Sequence, residues 1–404
     1  MGDLVNKNYQ AIWFSNLTSE LGGIFFTVCI SIIIFDMTNS VTSLGSVWLI
    51  YYIPSFFMQL FIGPYIDRWS RKYTMIVCQV IRGLLALLLC TLIVTDSFTI
   101  ILLYVIQIFI GLIMPVFSPA SQAILPTVVH RDLLQKANAS LDSVRQLAAI
   151  LGPIFAGLLL DFINVQWILI GIACAFCMSV LALFFIEEPI AERTARQPWI
   201  KEFKDGFHQY LSNPLIVVLG IFFGFVQFGV GVTIVTTLPF ITSILDQPYV
   251  SYGIFMAGFP IGYIIGAMIT AKIPFKKGIF ILFLSLFIGG LTYLSLAFTP
   301  WFVVAIITEC IAGIVIAIFN IFNITLIQKI TPESSMGKVT SIRLLIMRTM
   351  LPLGILIATV SAEWLTIRQM YFGIGSIICI SSILGYFYVQ QQEKIKFDIQ
   401  TYTK

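Results

Sequence analysis

The chain is a succession of twelve apolar segments, each long enough to cross a lipid bilayer. A crossing takes about 20 apolar residues, and in lipid the backbone polar groups must be satisfied within the segment, so each segment is predicted to be a helix. The predicted spans are 11–35, 43–66, 73–95, 99–125, 139–160, 165–186, 214–241, 250–271, 278–298, 301–327, 339–362 and 369–389. With 59% hydrophobic and only 10% charged residues, a soluble surface cannot be built. The predicted fold class is all-α, a polytopic membrane protein.

Lysine and arginine collect on every second connection between the predicted spans. Counting nearby helix ends, 22 of the 23 basic residues lie on one face, Arg82 among them, and only Arg368 lies on the other. The short turns on that second face carry acids such as Asp36, Asp96 and Asp161. Because cytoplasmic loops retain positive charge, the pattern predicts a multi-pass cell-membrane protein with both termini in the cytoplasm. The Ile- and Phe-rich, Ala-poor spans suggest a bacterial source.

A long hydrophilic stretch in the middle of the sequence divides the spans into two sets of six. We therefore predict an N-terminal six-helix bundle over 1–186, a central cytoplasmic loop over 187–213, a C-terminal bundle over 214–390 and a cytoplasmic tail over 391–404. Weak sequence similarities between the two halves support this division. Transporters built from such repeats hold their substrate near the midplane, between the two halves.

The turn after the second span has the most specific local pattern, Gly63-Pro-Tyr-Ile-Asp67-Arg68-Trp-Ser-Arg71-Lys72. It resembles the signature of the major facilitator superfamily, in which a glycine is followed by Asp-Arg and a basic pair. The resemblance implies two six-helix bundles and secondary transport. The glycine permits close helix approach, and Asp67 could bind arginines or a helix N-terminus, latching the cytoplasmic side. Alternatively, the basic residues only fix the topology.

Two further resemblances narrow the family. Gly152-Pro153 with Gly157 in span five resembles the glycine-proline element of antiporters in that superfamily, although a plain packing groove is the alternative. The segments NKNYQAIWFSN, FSPASQAILPTVVHRDLLQKANASL and EFKDGFHQYLSNP look like the macrolide-efflux-type branch of drug:proton antiporters. This likeness covers nearly the whole chain. It implies export of small hydrophobic compounds in exchange for protons, by a monomer embedded in membrane lipid.

Two glutamates lie inside predicted spans. An ionised side chain there costs about 2.5–3.5 kcal/mol, so such residues usually face a cavity or a partner and mark a pathway. Glu20 is halfway through span one, and Glu309 is in span ten. The macrolide-efflux-type branch often has Gly-Asp where this sequence reads Leu21-Gly22-Gly23, so the acid here is displaced. Both glutamates are predicted to handle protons or a cationic substrate. The alternative is that each is a structural partner for an arginine of the opposite bundle.

Other polar residues in the spans are weaker candidates. Asp142 and Arg145, three residues apart, are predicted to form an intrahelical pair, with a gating role as the alternative. Arg348 lies deep enough in span eleven to require a partner. Four amide side chains are candidates for lining a substrate cavity: Asn16, Gln227, Asn320 and Asn323.

Motifs of enzymes and of cofactor or metal sites are missing from the sequence. There is no GxxxxGK[ST], GxSxG or HExxH pattern, and Cys174 and Cys177 stand in an apolar span without further ligands. We expect no cofactor, no metal, no nucleic-acid partner and no enzymatic activity. Three alternatives remain open: an exporter of a self-made metabolite such as a siderophore or peptide, a nutrient importer, and a polytopic membrane enzyme or sensor.

Overall fold

The computed structural model describes residues 7–66, 69–130, 133–188, 207–208, 210–212, 214–270, 272–273, 278–330 and 336–402. Within these ranges the chain forms twelve long helices and no β-strand, which confirms the all-α prediction. The helices are α1 Lys7–Thr38, α2 Val41–Ile66, α3 Arg71–Val94, α4 Ile100–Val128, α5 Leu134–Phe162, α6 Val165–Phe184, α7 Pro214–Pro239, α8 Tyr249–Thr270, α9 Gly278–Phe298, α10 Phe302–Ile330, α11 Met336–Ser361 and α12 Ile367–Tyr402.

The helices have the length and composition of membrane spans. Among the described residues, 11 segments are long and apolar enough to cross a bilayer, and α11 adds the shorter apolar stretch Thr349–Ser361. The apolar stretch of α11 is short because Lys338, Arg343 and Arg348 all fall in the first half of this helix. At the other extreme, α12 continues as a helix to Tyr402, well past the predicted end of its span. Many large apolar side chains face outward, as expected of a protein surrounded by lipid.

Local sequence explains where several helices begin and turn. The Ser70 side chain accepts a hydrogen bond from the Tyr73 N–H at the start of α3, and Thr99 does the same for Leu102 at the start of α4. Among the described residues, three non-glycine residues have positive φ, and all three follow a helix: Asn39, Asp96 and Asp246. Asn and Asp tolerate this conformation better than other residues, so short turns suffice between the spans.

The chain forms two compact units, Met1–Ala195 with Thr237–Ala257, and Arg196–Thr236 with Gly258–Lys404. The first unit contains α1 to α6, with α1 packed against α5 and α6, α3 against α4 and α6, and α2 against α4. It also takes in the end of α7, the five-residue π-helical turn Phe240–Ile244 and the start of α8. In the second unit, α9 packs against α10 and α12.

Glycines allow backbone contact between α8 and α10 in the second unit. A Cβ added at Gly262 would overlap the carbonyl oxygen of Cys310, and one added at Gly313 would overlap that of Phe259. These helices approach closely because no side chain separates them, the usual role of small residues in membrane helices. We call this contact the glycine seam, formed by Gly262, Cys310, Phe259 and Gly313. It fixes the axial position and the rotation of α10 relative to α8.

Candidate functional site

An arginine is buried in the middle of the first unit. Arg82 is the twelfth residue of α3 and only 3% exposed. Its guanidinium donates to Ser19 Oγ at 2.8 Å and Gln79 Oε1 at 3.0 Å, and lies 4.2 Å from the centroid of the Phe176 ring. The sequence assignment of Arg82 to the cytoplasmic helix ends is therefore wrong. Neutral acceptors and an aromatic face satisfy the cation inside the bundle, so it does not have to reach the water interface.

Hydrogen bonds extend from Arg82 across three helices. Gln79 of α3 donates to Ser179 Oγ of α6 at 2.9 Å, and that hydroxyl lies 2.7 Å from Ser15 Oγ of α1. All of these side chains are buried. Because every member has a partner, the network orients α1, α3 and α6 at one depth and holds Ser19, next to Glu20, in a fixed position.

Replacing Arg82 with methionine is expected to destabilise the protein by about 2 kcal/mol. The shorter, apolar side chain leaves the oxygens of Ser19 and Gln79 without their donor. The measurement is the melting temperature of the detergent-purified protein, with the exposed Lys272→Met as control. A melting temperature equal to that of the control would contradict the structural role of Arg82.

Glu20 of α1 forms an ion pair with Arg145 of α5. Arg145 Nε is 3.5 Å from Glu20 Oε1, and its Nη1 donates to Asp142 Oδ1 at 2.8 Å. One arginine thus serves two carboxylates, one on its own helix and one on α1. The side chains of Glu20 and Arg145 are 32% and 45% exposed, so the pair is reachable by water or by a ligand. The partner of Glu20 belongs to its own unit, whereas the structural alternative expected one from the opposite bundle.

Glu309 has a different environment. It is half-buried on α10, one residue before Cys310 of the glycine seam, and a Cβ added at Gly258 of α8 would lie 3.5 Å from its Cβ and Cγ. Within the residues that the structure describes, its carboxylate makes no hydrogen bond or ion pair. Of the two embedded acids, Glu309 is the one whose charge is not compensated there.

The four amide candidates divide into two groups. Asn16 is buried and exchanges hydrogen bonds with Ser121 of α4 at 3.0 and 3.2 Å. Asn323 is also buried and donates to the Leu219 carbonyl of α7 at 3.0 Å. Both amides are thus used in contacts between helices. Asn320, which donates to the Tyr263 hydroxyl at 3.4 Å, and Gln227 are half-buried.

The turn between α2 and α3 is described only in part. Asp67 and Arg68 lie outside the described residues, Gly63 lies in α2, and Arg348 lies in α11 with its side chain outside the description. The Asp67 latch therefore stays a prediction.

The beginning of α3 is bound by a carboxylate from beyond α6. Glu188 accepts from the Ser70 hydroxyl at 2.5 Å and from the backbone N–H groups of Arg71 and Lys72 at 2.9 and 3.1 Å. In return, Lys72 Nζ donates to the Phe184 and Ile186 carbonyls at 2.9 and 2.7 Å. An anion caps the N-terminus of α3 and a cation caps the C-terminus of α6, matching both helix dipoles.

Glu188→Gln is expected to lower stability by about 1 kcal/mol, because the amide keeps one acceptor oxygen but loses the charge that favours a helix N-terminus. Thermal unfolding of the purified protein measures the effect. The neighbouring Glu187, which is exposed, provides the control variant Glu187→Gln. Equal melting temperatures for the two variants would show that the Glu188 charge contributes nothing to capping.

The glycine-proline element of α5 contacts two helices. A Cβ added at Gly152 would lie 2.7 Å from Ile24 Cγ2 of α1, and one at Gly157 would press on the backbone of Tyr249 and Val250 in α8. The carbonyl of Pro153 packs where a Cβ at Gly253 would stand. The element therefore brings α5 against α1 and the start of α8 within the first unit.

Two of these features escaped sequence reasoning. Gln79 and Arg82 are three residues apart, hence on one face of an otherwise apolar helix, and that spacing was the available signal for a buried network. Glu188 gave no such signal, because its position next to α3 depends on how α6 packs.

Membrane-length helices that hold arginines and acids among them are typical of membrane proteins with a pathway for ions or substrates. A family model described as Major Facilitator Superfamily matches residues 12–350, and the chain belongs to that superfamily. It is similar to the uncharacterised MFS-type transporter YfmI of Bacillus subtilis (strain 168), 25% identical over 97% of this chain and 98% of YfmI. It is also similar to the enterobactin exporter EntS of Escherichia coli O1:K1, 22% identical over 83% of this chain and 80% of EntS.

Solved structures support the fold. The nucleoside transporter NupG matches with a TM-score of 0.72 at 16% identity, and the match covers 96% of this chain and 100% of NupG. The POT family transporter PepTSo matches with a TM-score of 0.76 at 9% identity, covering 96% and 99% of the two chains. At these identities the likeness shows the major facilitator fold alone.

Proposed function

We propose that this protein is a secondary active transporter that exports small hydrophobic compounds, such as macrolides, in exchange for protons by alternating access. Protons would enter from the outside, each supplying about 2.3 kcal/mol per 100 mV of membrane potential. The proposal includes a cell-membrane location with both termini in the cytoplasm, and a monomer as the working unit.

The observation that carries the proposal is the environment of Glu309. A carboxylate in a membrane span is costly when ionised, and in the described residues no cation offsets that cost at Glu309. An acid in such surroundings is suited to binding and releasing protons. Its place beside Gly258 and the close seam between α8 and α10 means that a change in its charge acts on two packed helices.

Glu20 is proposed to play a second, supporting part. Its ion pair with Arg145 joins α1 to α5 within the first unit. Because Arg145 also binds Asp142 on its own helix, it keeps a partner if Glu20 is neutralised. This arrangement suits a group that responds to substrate, with Glu309 as the principal proton carrier.

Two lines support export. Gly152, Pro153 and Gly157 resemble the element of antiporters, and they lie where α5 contacts α1 and α8. The relative EntS is described as an exporter and is similar over 83% of this chain. That relative also favours a second candidate, export of a self-made siderophore-like metabolite.

The test is the intact protein in an efflux-deficient bacterial host. Ethidium, tetraphenylphosphonium and erythromycin would be tested for resistance, and everted vesicles for proton movement when each compound is added. Drug-specific resistance together with proton release from the vesicles would support the proposal. Appearance of a siderophore in the medium without drug resistance would favour the second candidate, and uptake of a nutrient would contradict export altogether.

A further inference from the structure

An open groove lies between the end of α9 and the start of α10, within the second unit. It has a volume of about 480 Å³, which is in the range of ligand pockets in proteins. Its apolar walls include Leu291, Leu294 and Phe298 of α9, with Trp301 and Val304 on the side of α10. Because Phe298 and Trp301 are 71% and 69% exposed, this α9–α10 groove opens toward the surrounding lipid.

The two hydroxyl groups in the wall of the α9–α10 groove already have partners within the protein. Ser295 Oγ lies 2.9 Å from Thr308 Oγ1. Thr299 Oγ1 accepts from the Trp301 N–H at 3.2 Å and donates to the Trp301 carbonyl at 3.3 Å. Since a polar group is costly in lipid unless it is hydrogen-bonded, these contacts leave an apolar surface. The groove is therefore suited to an apolar occupant such as an acyl chain.

The length of the α9–α10 groove matches the upper part of a lipid chain. From Leu291 to Phe298 an α-helix rises about 10 Å, and one leaflet of the hydrocarbon core is about 15 Å thick. Tryptophan prefers the level of the lipid headgroups, and Trp301 stands where the groove meets the turn between the two helices. The groove thus runs from the headgroup level into the hydrocarbon, the direction that lipid chains take.

Arg368 of α12 lies beside the headgroup end of the α9–α10 groove. Its Nη1 donates to the Ala297 carbonyl at 2.9 Å, at the end of α9. The ring of Phe298, in the groove wall, packs edge-to-face on that of Phe372, with 5.8 Å between their centroids. Phe372 follows Arg368 by one turn of α12. These two contacts fix the guanidinium next to the upper end of the groove.

The charge of Arg368 is not compensated by an acid. A guanidinium has five N–H donors, and within the described residues Arg368 uses one of them, on Ala297, and pairs with no carboxylate. It is also the one basic residue that the sequence assigns to the outer face. Guanidinium groups bind phosphate oxygens through charge-assisted hydrogen bonds that are often paired. A phosphate at the headgroup level would supply the missing negative charge.

We propose that the α9–α10 groove and Arg368 form a binding site for an anionic phospholipid of the predicted outer leaflet. One acyl chain lies in the groove, and the phosphate pairs with the guanidinium. The bound lipid covers the exposed rings of Phe298 and Trp301 and joins α12 to the turn between α9 and α10. This inference goes beyond the proposed function, because it depends on neither the exported compound nor the coupling ion.

The preference for an anionic headgroup tests the site. The full-length protein, purified in detergent and stripped of lipid, would be titrated with dioleoylphosphatidylglycerol or dioleoylphosphatidylcholine. Native mass spectrometry would give the dissociation constant of the first lipid bound. The two lipids share their chains and their phosphate, but choline balances the phosphate charge. The parent should bind phosphatidylglycerol about tenfold more tightly, and Arg368→Gln should bind both lipids equally, since a charge-assisted hydrogen bond is lost.

Three further variants separate the lipid site from a general effect on charge or folding. Arg368→Lys keeps a cation and should retain the preference, and Lys272→Gln, which removes an exposed cation from the opposite predicted face, should leave it unchanged. Val304→Trp keeps Arg368 but fills the groove, so it should weaken the binding of both lipids. Equal binding of the two lipids by the parent, the parent's preference in Arg368→Gln, or parental affinities in Val304→Trp would each overturn the site.

Discussion

Glu309→Gln is expected to abolish proton-driven export while leaving the protein folded. Exchange of one proton for one ethidium cation moves no net charge, so a pH difference drives it, and one pH unit supplies about 1.4 kcal/mol, enough for a substrate gradient of roughly tenfold. The glutamine side chain has nearly the same size as glutamate but cannot release a proton. The ethidium concentrations on the two sides of the membrane should therefore become about equal. Ethidium accumulation in energised everted vesicles measures the gradient, and binding of ethidium to the purified variant should persist.

Glu363→Gln is the control for Glu309, because Glu363 is exposed in the connection after α11. Its transport should equal that of the parent. Glu20→Gln should give an intermediate gradient, since Arg145 retains Asp142 as a partner. Full ethidium accumulation by Glu309→Gln would remove Glu309 from proton coupling and with it the observation on which the proposed function rests.

Gly262→Ala is expected to have the largest effect on stability. The new methyl group would overlap the Cys310 carbonyl, and backbone cannot move aside as a flexible side chain can. Overpacking of this kind costs up to about 3 kcal/mol, which in a chain of 404 residues lowers the melting temperature by roughly 4 °C. Because Cys310 follows Glu309 directly, transport should fall together with stability.

Gly373→Ala is the matched control for Gly262→Ala. Gly373 lies within α12, and a Cβ there would meet no atom within 4 Å. Alanine also favours the helix over glycine, so its melting temperature should be unchanged or slightly higher. If Gly262→Ala melted at the same temperature as Gly373→Ala, α8 and α10 would not be in backbone contact.

The sequence by itself determined the twelve helices and the membrane as their solvent. Spans such as α9 were predicted to the residue, because hydrophobic length is a local property and lipid forces each crossing segment to satisfy its own backbone. The superfamily was likewise recognisable from Gly63 to Lys72, a short contiguous motif. The macrolide-efflux branch, the domain limits and the site residues stay predictions.

Only the tertiary structure decided which polar groups meet. Arg82 was assigned to the membrane surface by charge counting, yet Ser19, Gln79 and Phe176 hold it inside the first unit. Helix packing likewise decides that Glu20 has a partner while Glu309 has none among the described residues. It also decides that Tyr249 binds Asp36. Hydropathy fixes where each helix lies along the chain but not its rotation or its neighbours, and those two quantities decide whether a buried charge is compensated.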